Sequence, residues 1–161
     1  MTRLLLSTAG GLGLLHPAPG TWGSLPPVVL TIAMAWAGPT PTLLVLGALT
    51  ILAGMACVML APWYASHFGQ EDPGQVVIDE VSGMSVCLLI ALVITPDASS
   101  WPTVIGATAI AFVLFRLLDI TKPGPIGMLQ NVSGGWGVLL DDLAAGALAG
   151  IGAGLLMSWW S

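Results

Sequence analysis

The chain has 161 residues, of which 56% are hydrophobic and 7% charged, with a mean hydropathy of +0.95 and a formal net charge of −5. Soluble domains carry about a quarter charged residues; with so little charge the chain reads as an all-α, multi-pass membrane protein, one domain over residues 1–161. A pI near 4.4 excludes the basic face that nucleic-acid binding needs.

The N-terminal stretch MTRLLLSTAGGLGLL resembles a signal peptide in having Arg3 before an apolar run. Gly10, Gly11 and Gly13 break that run, and no clear small-x-small cleavage site follows. It is expected to stay in the chain as a short re-entrant or interfacial segment. Residues 16–24, HPAPGTWGS, read as a loop with Ser24 as an ordinary N-cap. A short apolar segment, Leu25 to Ala37, then opens on Pro26-Pro27 and stops at Gly38-Pro39.

Four longer spans follow, since a bilayer core of ~30 Å needs ~20 apolar helical residues. The first is Pro41 to Ala61, with Thr40 as N-cap. The second is Pro73 to Thr95, with Asp72 as N-cap and Gln75 in the capping-box position. The third runs from Pro102 to about Thr121 and the fourth from Trp136 to Trp160. This predicts four to five transmembrane helices. If 25–37 crosses, parity puts all the polar clusters on one side and leaves only Asp97 opposite. Arg116 and Lys122, two of the three basic residues, share that side, which makes it cytoplasmic by the positive-inside rule.

At 1.5 Å per residue, Asp79 and Glu80 are expected roughly two turns into their helix. Asp141 and Asp142 lie one to two turns into theirs, and Arg116 roughly two turns before its helix ends. Charge inside a span is costly and usually faces an interior or a cavity for a functional reason. The bland reading of each acidic pair is helix-start charge favoured by the macrodipole. It is stronger for Asp141-Asp142, which lies nearer its start. Gly146, Gly150 and Gly154 fall on the face of Asp142, which marks close helix packing. Arg116, Asp119 and Lys122 are spaced by three and share a face, either as an ion network or as an anion grip. The excess of acids at one depth suits a divalent cation such as Mg²⁺, held by Asp72, Asp79, Glu80, Asp141 and Asp142. Arg116 and Lys122 are then free to hold a phosphate. Gly20, Thr21, Gly23 and Ser24 could add backbone N–H groups and hydroxyls to it, although Pro-Gly-Thr is also an ordinary turn. His16 and His67 read as loop residues. Cys57 and Cys87 read as packing, and the seven tryptophans as interfacial belt.

The stretches PAPGTWGSL, DPGQVVIDEVSGM, FRLLDITKPGP and GGWGVLLDDLAAG, in this order and spacing, resemble the phosphatidylglycerophosphatase A family from about Gly10 to Gly150. The resemblance implies a Mg²⁺-dependent phosphatase of the bacterial cytoplasmic membrane. It would convert phosphatidylglycerophosphate to phosphatidylglycerol, with its site at the cytoplasmic face. It implies functional roles for Asp72, Asp79, Glu80, Arg116, Asp119, Lys122, Asp141 and Asp142. Gly124 stands where the family often has an aromatic residue, and Gly127 where a basic residue is common. The competing readings are an ion or proton transporter using buried carboxylates, a structural subunit that binds anionic lipid, and a phosphatase of another anionic phospholipid. A transporter would need polar residues through the full bilayer depth, and the spans turn apolar below one layer.

Overall fold

A computed structural model describes residues 1–160, which form seven α-helices and, among the described residues, no strand. They are α1 Thr2–Ser7, α2 Pro19–Met34, α3 Pro39–Phe68, α4 Ile78–Ile94, α5 Trp101–Thr121, α6 Pro125–Leu129 and α7 Gly135–Trp160. The expected all-α architecture is present. Three helices, α3, α5 and α7, are long and apolar enough to cross a membrane. The other two candidates are shorter: α2 has 16 residues and α4 has 17, so each reaches only about 24–26 Å. The N-terminal segment folds as α1 and a 3₁₀ turn over Leu12–Leu14.

The middle of the bundle is α4, which packs against α2, α3, α5 and α7. Its closest partner is α7, and the reason is the absence of side chains along the seam. A Cβ at Gly146 would lie 2.2 Å from the Gly83 carbonyl oxygen, and one at Gly150 would lie 2.5 Å from that of Cys87. Gly83 faces the Asp142 carbonyl in the same way, at 2.7 Å. The small-residue face expected on α7 is therefore a helix–helix contact. Ala145, Ala149 and Ala153 are buried beside it. Larger side chains turn outward: Leu44 is 70% exposed and Val93 62%. Such an apolar exterior suits lipid and not water.

The tryptophans fall at two levels. Trp22, Trp63 and Trp136 lie near the α2 start, the α3 end and the α7 start; Trp36, Trp101, Trp159 and Trp160 lie at the other end of the bundle. That is how amphipathic rings distribute between two interfaces.

The helix boundaries correct the sequence reading in four places. First, α2 begins at Pro19 and runs through Pro26-Pro27. The two prolines leave the Trp22 and Gly23 carbonyls without their i+4 donors but do not end the helix. Ser24 is thus not an N-cap; its hydroxyl donates to the Gly20 carbonyl at 2.8 Å. Second, α3 starts at Pro39 after Gly38, not at Thr40–Pro41, and continues to Phe68. His67 accordingly lies in a helix, stacked on Trp63 at 4.8 Å, and not in a loop. Third, α4 starts at Ile78, with Val77 and not Asp72 as its N-cap. Pro73 to Val77 approach the bundle as non-helical chain, because tertiary contacts claim their backbone. The Val77 N–H donates to the Ser7 carbonyl at 2.9 Å, and a Cβ at Gly13 would lie 2.1 Å from the Gln75 carbonyl. Asp79 and Glu80 therefore occupy the first turn of α4 and not the second or third. Fourth, Lys122 caps α5 in the left-handed region at φ 41°, so it leaves the helical face of Arg116 and Asp119.

Candidate metal and phosphate site

Four helix ends meet in one place, three of them carrying charge. The start of α2, the start of α4, the end of α5 and the second turn of α7 converge.

Its centre is acidic. One carboxylate oxygen from each of Asp79, Glu80 and Asp142 lies within 4.8 Å of the others. Asp79 is 6% exposed and Asp142 3%. Asp79 Oδ1, Glu80 Oε2 and Asp142 Oδ2 are buried without a hydrogen-bond partner. A buried carboxylate oxygen left unpaired is expensive, so three carboxylates this close together, each with one buried unpaired oxygen, are a poor structural arrangement and a good hard-cation arrangement. Burial survives the early helix position because the non-helical Pro73–Val77 segment covers it; Val76 and Val77 are themselves buried. The first-turn position also means that the α4 macrodipole favours these two carboxylates, so the bland helix-start reading holds in part. It does not account for Asp142, which comes from another helix.

Beside the acids lies Arg116. Its Nη1 pairs with Asp119 Oδ2 at 2.7 Å and donates to Ser24 Oγ at 3.3 Å, while its Nε has no partner. Gly20 supplies the floor: a Cβ there would lie 2.4 Å from Glu80 Oε1 and 3.0 Å from Arg116 Nη2. The glycine thus allows α2 to lie directly against a carboxylate and a guanidinium at once. Gly23, one turn on, does the same against the Val77 side chain at 2.5 Å. Thr21 is half-buried, with its N–H closing the first turn onto the Ala18 carbonyl.

A second cation lies across the site. Lys122 Nζ pairs with Asp141 Oδ2, which also accepts from Gln130 Nε2 at 3.1 Å. Burial works against the Lys122 ammonium. The Asp141 bond and the neighbouring Asp142 and Asp119 charges outweigh it, and the ammonium is held above its ordinary range. Asp141 Oδ2 is thus occupied by Lys122 and Gln130, its Oδ1 is buried without a partner, and the residue stands outside the close group of Asp79, Glu80 and Asp142. So does Asp72, which is exposed just before Pro73. Asp119 is buried between Arg116 and the vicinity of Asp142. Gln130 was not singled out from sequence. The only signal was its being one of the few polar side chains in the 122–135 connection.

The two glycines that depart from the family pattern belong to the Lys122 turn. Gly124 adopts φ 51°, ψ −115°, a conformation that side-chain-bearing residues avoid. A Cβ at Gly127 would lie 2.9 Å from the Lys122 carbonyl oxygen. Together they fold the connection tightly enough to aim Lys122 at α7.

Residues 5–157 match the family described as Phosphatidylglycerophosphatase A. The chain is 38% identical over 144 residues to a Bacteroides thetaiotaomicron protein provisionally named a phosphatidylinositol-3-phosphatase, covering 89% of this chain and 86% of the relative. It is 35% identical to proteins named Phosphatidylglycerophosphatase A from Haemophilus influenzae, over 96% of this chain and 88% of the relative, and from Escherichia coli, over 94% and 80%. No solved structure matches the chain.

Proposed function

The chain belongs to the phosphatidylglycerophosphatase A family, and on that premise we propose that it hydrolyses phosphatidylglycerophosphate to phosphatidylglycerol and phosphate. The observation that carries this reading is the set of three unpaired carboxylate oxygens, from Asp79, Glu80 and Asp142, beside the Arg116 guanidinium. An acid cluster alone would repel a phosphomonoester. The donor set fits Mg²⁺, which Asp79, Glu80 and Asp142 would hold. When bound, such an ion polarises a phosphoryl oxygen and lowers the pKa of a water.

The remaining work falls to the chain's own side chains. Arg116 is a planar fork whose Nε is unpaired and whose Nη1 is steadied by Asp119 and Ser24. It is placed to neutralise a phosphoryl group at the acids and the charge that develops during its transfer. Lys122, tied to Asp141, provides a second positive charge. Gly20 keeps the α2 start close enough to exclude bulk water from that corner. Asp72, exposed at the rim, and Asp141 complete the acidic layer from outside the central group.

We place the protein in the bacterial cytoplasmic membrane with the site on the cytoplasmic side. In this topology α2 and α4 cross together with α3, α5 and α7. The two tryptophan levels and the outward apolar faces support it. A second reading, a phosphatase of another anionic phospholipid, is favoured by the provisional name of the Bacteroides relative. Phosphate release by purified protein, from phosphatidylglycerophosphate and from phosphatidylinositol 3-phosphate, with and without Mg²⁺, tests both. Rapid, Mg²⁺-dependent release from the first lipid only is expected. Preference for the second would transfer the assignment, and release without any divalent cation would remove the metal from it.

A further inference from the structure

A groove opens on the outer surface of the bundle at the seam of α3 and α7, with α4 as its floor. It encloses about 420 Å³, within the range of small-ligand sites. Its rims are Ile51, Met55 and Met59 on α3 and Leu139 and Leu143 on α7. Trp136 stands at its shallow end. The polar groups along it are already used internally. Ser82 Oγ donates to the Thr50 carbonyl at 2.8 Å, and Thr50 Oγ1 to the Leu46 carbonyl at 2.9 Å. Nothing in the groove can satisfy a polar ligand.

Its register against the acids is specific. Ser82 lies one turn beyond Asp79 on α4, and Leu139 and Leu143 bracket Asp142 on α7. The helical segments that present two of the three central carboxylates inward therefore form the groove wall outward. From Met59 to Thr50 the α3 rim runs about 14 Å along the helix axis, starting near the level of the Trp136 interface ring, where Val58 and Ala61 meet Gly135, and descending into the apolar zone. A larger cavity, about 550 Å³ between Val29, Trp36 and Trp101, lies at the opposite end of the bundle, away from Asp79, Glu80 and Asp142.

We propose that the α3/α7 groove seats one acyl chain of the lipid whose phosphorylated headgroup is processed at the acids. The proposal rests on the phospholipid phosphatase reading and adds to it the site that recognises the lipid's tail. The occupant is a hydrocarbon chain because the wall offers only apolar contact. It is the substrate's chain because α4 and α7, which hold the carboxylates, also form the floor and one wall of the groove in fixed register. Holding the tail there restricts how the headgroup can approach, so its loss acts on KM before kcat.

The test uses purified wild-type protein in lipid nanodiscs and a phosphatidylglycerophosphate with a photoactivatable diazirine in its acyl chain. Adducts are mapped by mass spectrometry. Labelling at Ile51, Met55 and Met59 should be suppressed by unlabelled phosphatidylglycerophosphate and not by phosphatidylethanolamine. Labelling at Leu44 and Val113, which face outward elsewhere, should respond to neither. In parallel, Met55→Trp fills the groove from a side chain that is 54% exposed. It should raise KM for a long-chain substrate about tenfold, the effect of withdrawing about two methylenes from burial. For a dihexanoyl substrate kcat/KM should stay within about twofold, which also reports that the variant is folded. Uncompeted labelling at the groove overturns the proposal, as does an equal effect of Met55→Trp on both substrates. A wild-type protein that hydrolyses neither substrate overturns the phosphatase reading instead.

Discussion

The two ends of the bundle are built from the same apolar helices yet handle charge in opposite ways. At one end Asp97 sits in an exposed loop and accepts a bond from Ser99 Oγ at 2.8 Å. At the other end Asp79, Asp119, Asp141 and Asp142 are buried, and the cations brought to them are Arg116 and Lys122. A lone carboxylate that only needs water goes to the surface. Carboxylates that are buried together with unpaired oxygens have been kept there against their solvation, and the difference between the ends is what identifies the site.

The sharpest way to break this comparison is to neutralise the buried end. Asp79→Asn and Asp142→Asn should each lower phosphate release by at least about a hundredfold. Measured without divalent cations, the thermal midpoint should hold or rise, because a buried like charge has been removed. A marked loss of stability with activity per folded molecule intact would make the acids structural. Next in size is the seam that aligns them. Gly83→Ala places a Cβ 2.7 Å from the Asp142 carbonyl, against backbone that cannot rotate away. It should destabilise by about 1–3 kcal/mol, as overpacking does, and lower activity through displacement of Asp142; denaturation in detergent and turnover at matched folded fraction check both. Arg116→Lys keeps the charge and loses the fork, so it should retain the thermal midpoint and lose at least about tenfold in kcat/KM. A structural ion pair with Asp119 would give the reverse pattern. At the other end, Asp97→Asn should change stability by no more than about 0.5 kcal/mol and leave turnover unaltered. Topology sharpens the same contrast: in sealed vesicles, a cysteine replacing Ser133 should be labelled only from the cytoplasmic side and one replacing Ser99 only from outside.

Much of this was legible in the sequence because charge is so scarce in it. Both acidic pairs, the Arg116–Lys122 cluster and the glycine face of α7 stand out against apolar neighbours. Parity, if 25–37 crosses, puts them on one side. The start of α4 was not legible. Asp72-Pro73 with Gln75 has every local mark of a helix N-terminus, but Ser7, Gly13 and Gly23 are distant in sequence and claim the Gln75–Val77 segment for tertiary contact. Gly20 read as a backbone contact to phosphate or as an ordinary turn residue, and only the fold reveals Glu80 and Arg116 against it. The spacing of three that seemed to align Lys122 with Arg116 fails at a single left-handed residue, which sends the lysine to Asp141 instead.

Along α4 only Val93 is exposed; α2, α3, α5 and α7 shield the rest of the helix. That enclosure has a consequence for how the chain is assembled. α3, α5 and α7 can each partition into lipid on their own hydrophobicity. α4 carries Asp79, Glu80, Ser82 and Ser85 in only 17 residues, which weakens its insertion as an isolated segment. Its first neighbour in synthesis is α3, already hydrophobic enough to enter. Its tightest contact is α7, made last. The acidic layer can therefore close only when the final helix arrives, and a chain arrested before Gly135 would leave Asp79 and Glu80 without Asp142 and the helix that encloses them.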